Sequence, residues 1–517
     1  MSNRPAALRA NRPTAFDPSP LSFSGLVADY GLIGTVGIGA LLLAIALAPL
    51  IGGYPPGATY GADVSLNALR ALVCVAGVCR PHLTPDAENS SQRSQRLLSV
   101  LFALPAVFTV LSLLIHSRFL TNDVLLFAML PATLDWLCYS VLAVLCWQLS
   151  RQDRRITVLL IGALTLGAAG TAVAVARSYG DAVQSGMRGF RASGTFFSPN
   201  FAGGFLGLCL PILAAACLAA RERLGALVMG AVTALAFGGL VATGSRAGIA
   251  ITGLGLLTGI GLALVSQRKG QPGLPWARIG ALLAAFAVLG FAFRGPLTAR
   301  AEGSGGGSDE HSGAFRTMTW QGTVAMAKAH PLLGVGPGTF YVYYPAYAIV
   351  ARTDLAHSSY LQIAGEQGLP ALVTAIAAII AALVTGLASL LRRPSEDDST
   401  LPRLLLCGIV GGVLVGSLRS IFDSEWTLLG NGLPFWASVG LAAAGIPVLS
   451  QAASPATAKA RSPLLLRMVA AAGLVFALLL LQGTQARDAI QAQYQQTRQY
   501  VAQANVWPPD PNVLAAT

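Results

Sequence analysis

The chain has 517 residues, of which 54% are hydrophobic and only 11% charged, with a mean hydropathy of +0.62. That composition excludes an ordinary soluble domain and defines a polytopic, all-α membrane protein. The net charge of +12 does not point to nucleic acid, because most of the cations fall between apolar segments, where membrane topology accounts for them.

In chain order, residues 1–30 form a tail rich in proline and arginine, expected to stay in the cytoplasm without a cleaved signal peptide. About thirteen apolar spans follow, each close to the ~20 residues that cross a bilayer. They are read at 31–50, 64–79, 97–115, 124–149, 156–176, 201–220, 224–243, 247–265, 277–293, 368–391, 403–422, 431–449 and 464–482. The second is the weakest, since Arg70 interrupts it. Residues 31–484 thus make the membrane domain, and its many glycines suit close helix packing in lipid. Cysteines lie in or beside spans without metal-ligand spacing, so neither a disulfide framework nor a metal or other cofactor is expected.

With a cytoplasmic N-terminus, the inner loops collect cations loop after loop, from Arg4, Arg9 and Arg12 to Arg392, Arg393 and Arg403. The outer loops hold few: Arg118, Arg177, Arg188, Arg191, Arg246 and Arg419. By the positive-inside rule the segment 294–367 is then a long extracytoplasmic loop. It contains a Gly/Ser hinge (Gly303 to Ser308), an amphipathic helix from Phe315 to Ala329 expected to lie along the membrane surface, and the aromatic turn GVGPGTFYVYYPAY. Residues 485–517 form a polar helical segment on the same side. Their ending, ANVWPPDPNVLAAT, reads either as a frayed terminus or as the start of a tetratricopeptide-like region.

Three polar islands stand out where charge is scarce, and this topology places all three outside. In MRGFRASGTFFSPN, Arg188 and Arg191 precede a helix start at Ser198-Pro199-Asn200. Guanidiniums beside a helix N-terminus make an anion site; the alternative is a pair of interfacial anchors. In TGSRAG, Arg246 stands alone after Ser245 at a very short turn, and an ionisable residue there is a functional candidate. In AHSSYLQIAGEQG, His357 is a candidate proton acceptor, although residue type alone does not separate it from His82, His116, His311 and His330. Tyr360 and Glu366 follow it; Glu366 reads either as a group for an arginine or a substrate hydroxyl, or as a solvated cap at the next span.

The motifs RASGTFFSPNFAGGF, TGSRAG, HPLLGVGPGTF and AHSSYLQIAGEQGLPAL, in this order, resemble the O-antigen ligase and polymerase superfamily of bacterial envelope glycosyltransferases. The resemblance covers roughly residues 190–390. It implies a GT-C-like enzyme of the inner membrane that moves a glycan from an undecaprenyl diphosphate carrier to an acceptor hydroxyl on the extracytoplasmic face. The reaction it implies is inverting and metal-independent. By the resemblance Arg191 and Arg246 would bind the diphosphate and His357 would take the proton; the chain's own pattern adds Arg188 and Arg419 as auxiliaries and Asn200, Ser245, Tyr360 and Glu366 as further substrate-binding candidates. Many members carry His-Asn where this chain has His357-Ser358. The acceptor is a glycolipid, another glycan (polymerase) or a protein hydroxyl (O-oligosaccharyltransferase), and the motifs leave these open. A flippase or transporter of another class would show internal duplication and charges at the midplane of both halves, and neither is evident.

Overall fold

A computed structural model describes residues 23–55, 60–80, 89–118, 123–187, 189–267, 273–301, 309–349, 353–392 and 400–445. Every regular element among these is helical. The bundle is built from α1 (Phe23–Ile51), α2 (Tyr60–Val78), α3 (Asn89–Ser117), α4 (Asp123–Gln152), α5 (Arg154–Gln184), α6 (Pro199–Ala219), α7 (Arg223–Ala242), α8 (Arg246–Ser266) and α9 (Trp276–Ala292). A connecting region of α10 (Gly295–Ala301), α11 (Asp309–Ala329), α12 (Phe340–Tyr343) and α13 (Ser359–Glu366) precedes α14 (Leu369–Leu391), α15 (Thr400–Phe422) and α16 (Leu429–Ala444).

Nine helices among the described residues are long and apolar enough to cross a membrane, which makes this an all-α polytopic membrane protein. α2, α9 and α16 join the bundle as shorter or more polar members. The span read at 464–482, the hinge at Gly303 to Ser308 and the C-terminal segment lie outside the described residues. α1 begins before the expected span and changes direction at Gly31, whose φ of 71° only glycine adopts without strain.

Arg70, which makes α2 the weakest of the expected spans, also ties the helix down. Its Nε donates to Asp135 Oδ1 at 2.7 Å, one terminal nitrogen to Asp135 Oδ2 at 3.0 Å, and the other to Asn67 Oδ1 at 2.7 Å. The fork is fully buried between α2 and α4, so the charge that lowers the apparent hydropathy is neutralised inside the bundle.

α6, α15 and α16 form the centre, while α8 and α14 turn most of their surface outward. Small residues permit the central contacts. A methyl group on Gly411 of α15 would sit 2.7 Å from the Gly255 carbonyl oxygen of α8, and one on Gly412 would sit 2.6 Å from Leu208 O of α6.

Much of the described connecting region is helical, and α11 carries the helix expected from Phe315 to Ala329. Thr319, Gly322, Thr323 and Met326 face inward onto α13 and the 3-10 turn Tyr344–Tyr347, whereas Ala325 and Ala329 are exposed. The threonine hydroxyls donate back to Phe315 O at 2.8 Å and Thr319 O at 2.7 Å, so their polarity is satisfied within the helix and their methyls pack. A further clasp joins two of the motifs. Val335 N donates to Gly365 O at 3.0 Å and Gly336 N to Glu366 O at 2.9 Å, which holds the GVGPGTF turn on the end of α13.

Candidate active site

Two helix starts meet at one end of the bundle. Ser198 caps α6 by accepting from Asn200 N at 3.4 Å, and Ser245 caps α8 by accepting from Gly248 N at 3.3 Å. They are adjacent, because a methyl on Gly203 of α6 would lie 3.0 Å from Thr243 Oγ1 and 3.3 Å from Ser245 Cβ. Both positive helix ends therefore point into one neighbourhood.

Arg191 bridges these starts. Its Nε donates to Thr243 O at 2.8 Å and a terminal nitrogen to Asn200 Oδ1 at 2.6 Å. The stem lies over Gly244, where φ is +61° and an added methyl would come within 3.3 Å of Arg191 Cγ. Two residues on, Arg246 opens α8 and is exposed. The sequence-read candidates Arg191, Asn200, Ser245 and Arg246 thus come together, while Arg188 lies outside the described residues. An ammonium at 191 cannot span both acceptors. Arg191→Lys is therefore expected to destabilise this junction by about 1 kcal/mol or more, checked by thermal unfolding.

Arg419, read from the sequence as an outer-loop auxiliary, is instead buried at the last turn of α15, behind Asn200. One of its terminal nitrogens donates to Asn200 O and to Glu425 Oε1, both at 2.9 Å. Asn431 Nδ2 donates to Phe201 O at 3.0 Å and also to Glu425 Oε2. Arg419 is consequently placed to hold the first turn of α6, and through Asn200 the Arg191 fork.

The turn that carries Glu425 also carries Asp423, and Asp423 meets His357. His357 Nδ1 lies 3.3 Å from Asp423 Oδ1. With the proton on Nδ1 facing the carboxylate, Nε2 is left as an acceptor. Arg316 of α11 stands 3.7 Å from Asp423 Oδ2. Burial pushes the Asp423 carboxyl up, but the hydrogen bond from His357 and the charges of the surrounding cations, Arg419 and Arg316 among them, hold it below its ordinary range.

His357 is the one non-glycine residue among those described with positive φ, 50°, a conformation that costs about 1–2 kcal/mol and so requires the surroundings to impose it. Ser359 N donates to Asp423 O at 3.0 Å and Ser358 N to Ser424 Oγ at 3.3 Å, locking the residues after it to the same turn. The pairing also separates His357 from two other histidines: His116 Nδ1 meets Ser112 O and His330 Nε2 meets the Tyr347 hydroxyl.

Glu366 and Tyr360 have other partners. Glu366 is buried; its oxygens accept from Gly338 N and Phe340 N at 3.0 Å and from Gln362 Nε2 at 2.9 Å. Burial pushes this carboxyl up to about 7. It organises the GVGPGTF turn and is neither paired with arginine nor a solvated cap. The Tyr360 hydroxyl donates to Ser417 O at 3.0 Å and its ring packs on Trp426. The residues that sequence reasoning passed over are Asp423, Glu425 and Arg316. Asp423 and Glu425 stand in the short polar interval FDSEW between two spans, which was a signal of the same kind as the three islands.

Fold and site define a polytopic helical membrane protein that sets an arginine-lined pair of helix starts beside a histidine–aspartate pair. Residues 231–376 match the family model described as O-antigen ligase, a stretch that contains Arg246, His357 and the GVGPGTF clasp. The match supports the O-antigen ligase and polymerase superfamily. No curated protein matches the chain.

Proposed function

We propose that the protein is an O-antigen ligase-like glycosyltransferase. It takes a glycan from an undecaprenyl diphosphate carrier and joins it to an acceptor hydroxyl at the extracytoplasmic face of the inner membrane, in a GT-C-like scaffold. The observation that carries this reading is the Asp423-Ser424-Glu425 turn, which connects the histidine pair to the arginine cluster through one short segment.

The chemistry follows from the charges. As the bond between the anomeric carbon and the diphosphate oxygen breaks, its electrons stay with the diphosphate, and charge grows where Arg191, Arg246 and two helix ends are aimed. The acceptor oxygen forms the new bond from the opposite face, which inverts the anomeric centre, and its proton passes to His357 Nε2. Asp423 fixes the ring and balances the imidazolium that forms. Cations of the chain itself stabilise the leaving group, so the reaction is proposed to be independent of a metal. Glycolipid, lipid-linked glycan (a polymerase) and protein hydroxyl are the three acceptor types of this chemistry, and the membrane lipid holds the carrier's tail.

The test compares transfer with transport. The purified protein, in vesicles containing an undecaprenyl diphosphate oligosaccharide, is offered glycolipid, glycan and peptide acceptors while the sidedness of the donor is followed. New glycosylated acceptor is expected. Donor movement across the bilayer with no product on any acceptor would establish the flippase alternative instead.

A further inference from the structure

Toward the end of the bundle opposite the two helix starts, α6, α8, α9 and α15 enclose a groove of about 270 Å³. Its walls are apolar, among them Ala214 of α6, Ile260 of α8, Leu282 of α9 and Cys407 of α15. Leu257 of α8 and Leu283 of α9 line it and are still 68% and 61% exposed, so the groove opens sideways, to where the hydrocarbon of the membrane lies.

The mouth of the groove is cationic. Leu218 and Ile279 line that end, and beside them Arg278 Nη1 donates to Cys217 O, Leu218 O and Ala220 O at 3.1, 3.3 and 2.6 Å. One nitrogen makes all three bonds. Nε and Nη2 of this half-buried guanidinium donate to no group among the described residues. Arg221 and Arg223 stand exposed in the turn that follows α6, against the single carboxylate of Glu222. Trp276 opens α9 two positions before Arg278 and is exposed, the placement of a ring at headgroup level.

We propose that this groove is a binding site for an anionic phospholipid of the cytoplasmic leaflet, with one acyl chain between α8 and α9 and the phosphate on Arg278, Arg221 and Arg223. A helix with its side chains is about 10–12 Å across, too thick for such a volume, whereas a single acyl chain is not. Inside a bilayer an apolar wall does not prefer one lipid to another, because every tail is as apolar as the wall. What distinguishes a seated lipid from its neighbours is therefore the headgroup, and the arginines select a negative one. The seated chain fills the gap beside α8 and so supports the helix that opens with Arg246.

The test uses the full-length protein in mild detergent, mixed with phosphatidylglycerol and phosphatidylcholine of equal chain length, with retained lipid counted by native mass spectrometry. Phosphatidylglycerol is expected to bind on the order of tenfold more tightly. Arg278→Gln should cut that preference severalfold, and so should the double variant Arg221→Gln/Arg223→Gln, whose exposed positions leave the fold untouched even if loss of the Arg278 bonds does not. Gly253→Phe should abolish retention of both lipids, since Gly253 lines the groove and an added Cβ there meets nothing within 4 Å. Equal retention of the two lipids, or a preference that survives in both arginine variants, overturns the anionic site. Retention undiminished in Gly253→Phe overturns the groove as its seat. No retained lipid at all overturns the proposal in favour of a groove covered by another segment of the chain or by a second copy.

Discussion

Replacing His357 by alanine is expected to lower kcat for glycan transfer by about 10²- to 10⁴-fold, the range that a positioned general base contributes. The loss should appear in single-turnover kinetics with saturating donor, since the proposed mechanism assigns the diphosphate contacts to Arg191 and Arg246. Asp423→Asn should lower the rate as well, because an amide can donate its N–H₂ to Nδ1 and so put the ring proton on Nε2, the nitrogen that must accept. The sign of the pH response follows from the carboxylate. Asp423 is held below its ordinary range, so what its pairing contributes to stability is present above the unfolded-state value and is lost as pH falls through the depressed one. The His357–Asp423 contact should therefore persist to acid pH. Full transfer by His357→Ala would remove the residue from the mechanism.

Arg419→Ala should be the most damaging change to the fold around the site. Removing a buried donor typically costs about 1–3 kcal/mol for each partner group left unsatisfied. Here Glu425 Oε1 and the Asn200 carbonyl both lose the guanidinium, while Asn431 stays on Glu425 Oε2. Thermal unfolding should show the loss, and Arg419→Lys should recover part of it. The same pair has a pH signature. Burial pushes Glu425 up to about 8 despite the opposing charge of Arg419, so the folded state keeps a proton that the unfolded chain releases at its ordinary value near 4.5. Stability should consequently fall as pH rises from about 4.5 through 8, and Glu425→Gln should flatten that dependence. Removing Arg419 should carry the fall to still higher pH.

Apolar run length was enough to locate the described bundle helices, because spanning a bilayer demands long uninterrupted segments. It read α2 as the weakest span, and α2 is not among the described helices apolar enough to cross a membrane; what it did not show is the partner that neutralises Arg70, Asp135, 65 positions away on α4. The buried stripe of α11 was hidden for a related reason. Threonines read as polar in sequence, yet Thr319 and Thr323 bond to their own helix and join the buried face. Within the site, Arg191, Asn200, Ser245 and Arg246 were legible because helix-start chemistry is local. Asp423 was not, since it is 66 residues from His357 and stands at a span end. Glu366 attracted attention as an isolated charge, but its work is to receive backbone N–H groups of a glycine turn, a role that side-chain type alone does not distinguish from substrate binding.

The central claim is that a diphosphate leaves at the arginine cluster while His357 accepts the proton of the attacking hydroxyl. Its most direct test is the stoichiometry of a single turnover in nanodiscs, with undecaprenyl diphosphate oligosaccharide as donor and a sugar acceptor. One glycosylated acceptor should form for each undecaprenyl diphosphate released, with both products lost together in Arg246→Ala and His357→Ala. Unchanged product formation in both variants, or carrier release with no glycosylated acceptor, would contradict it.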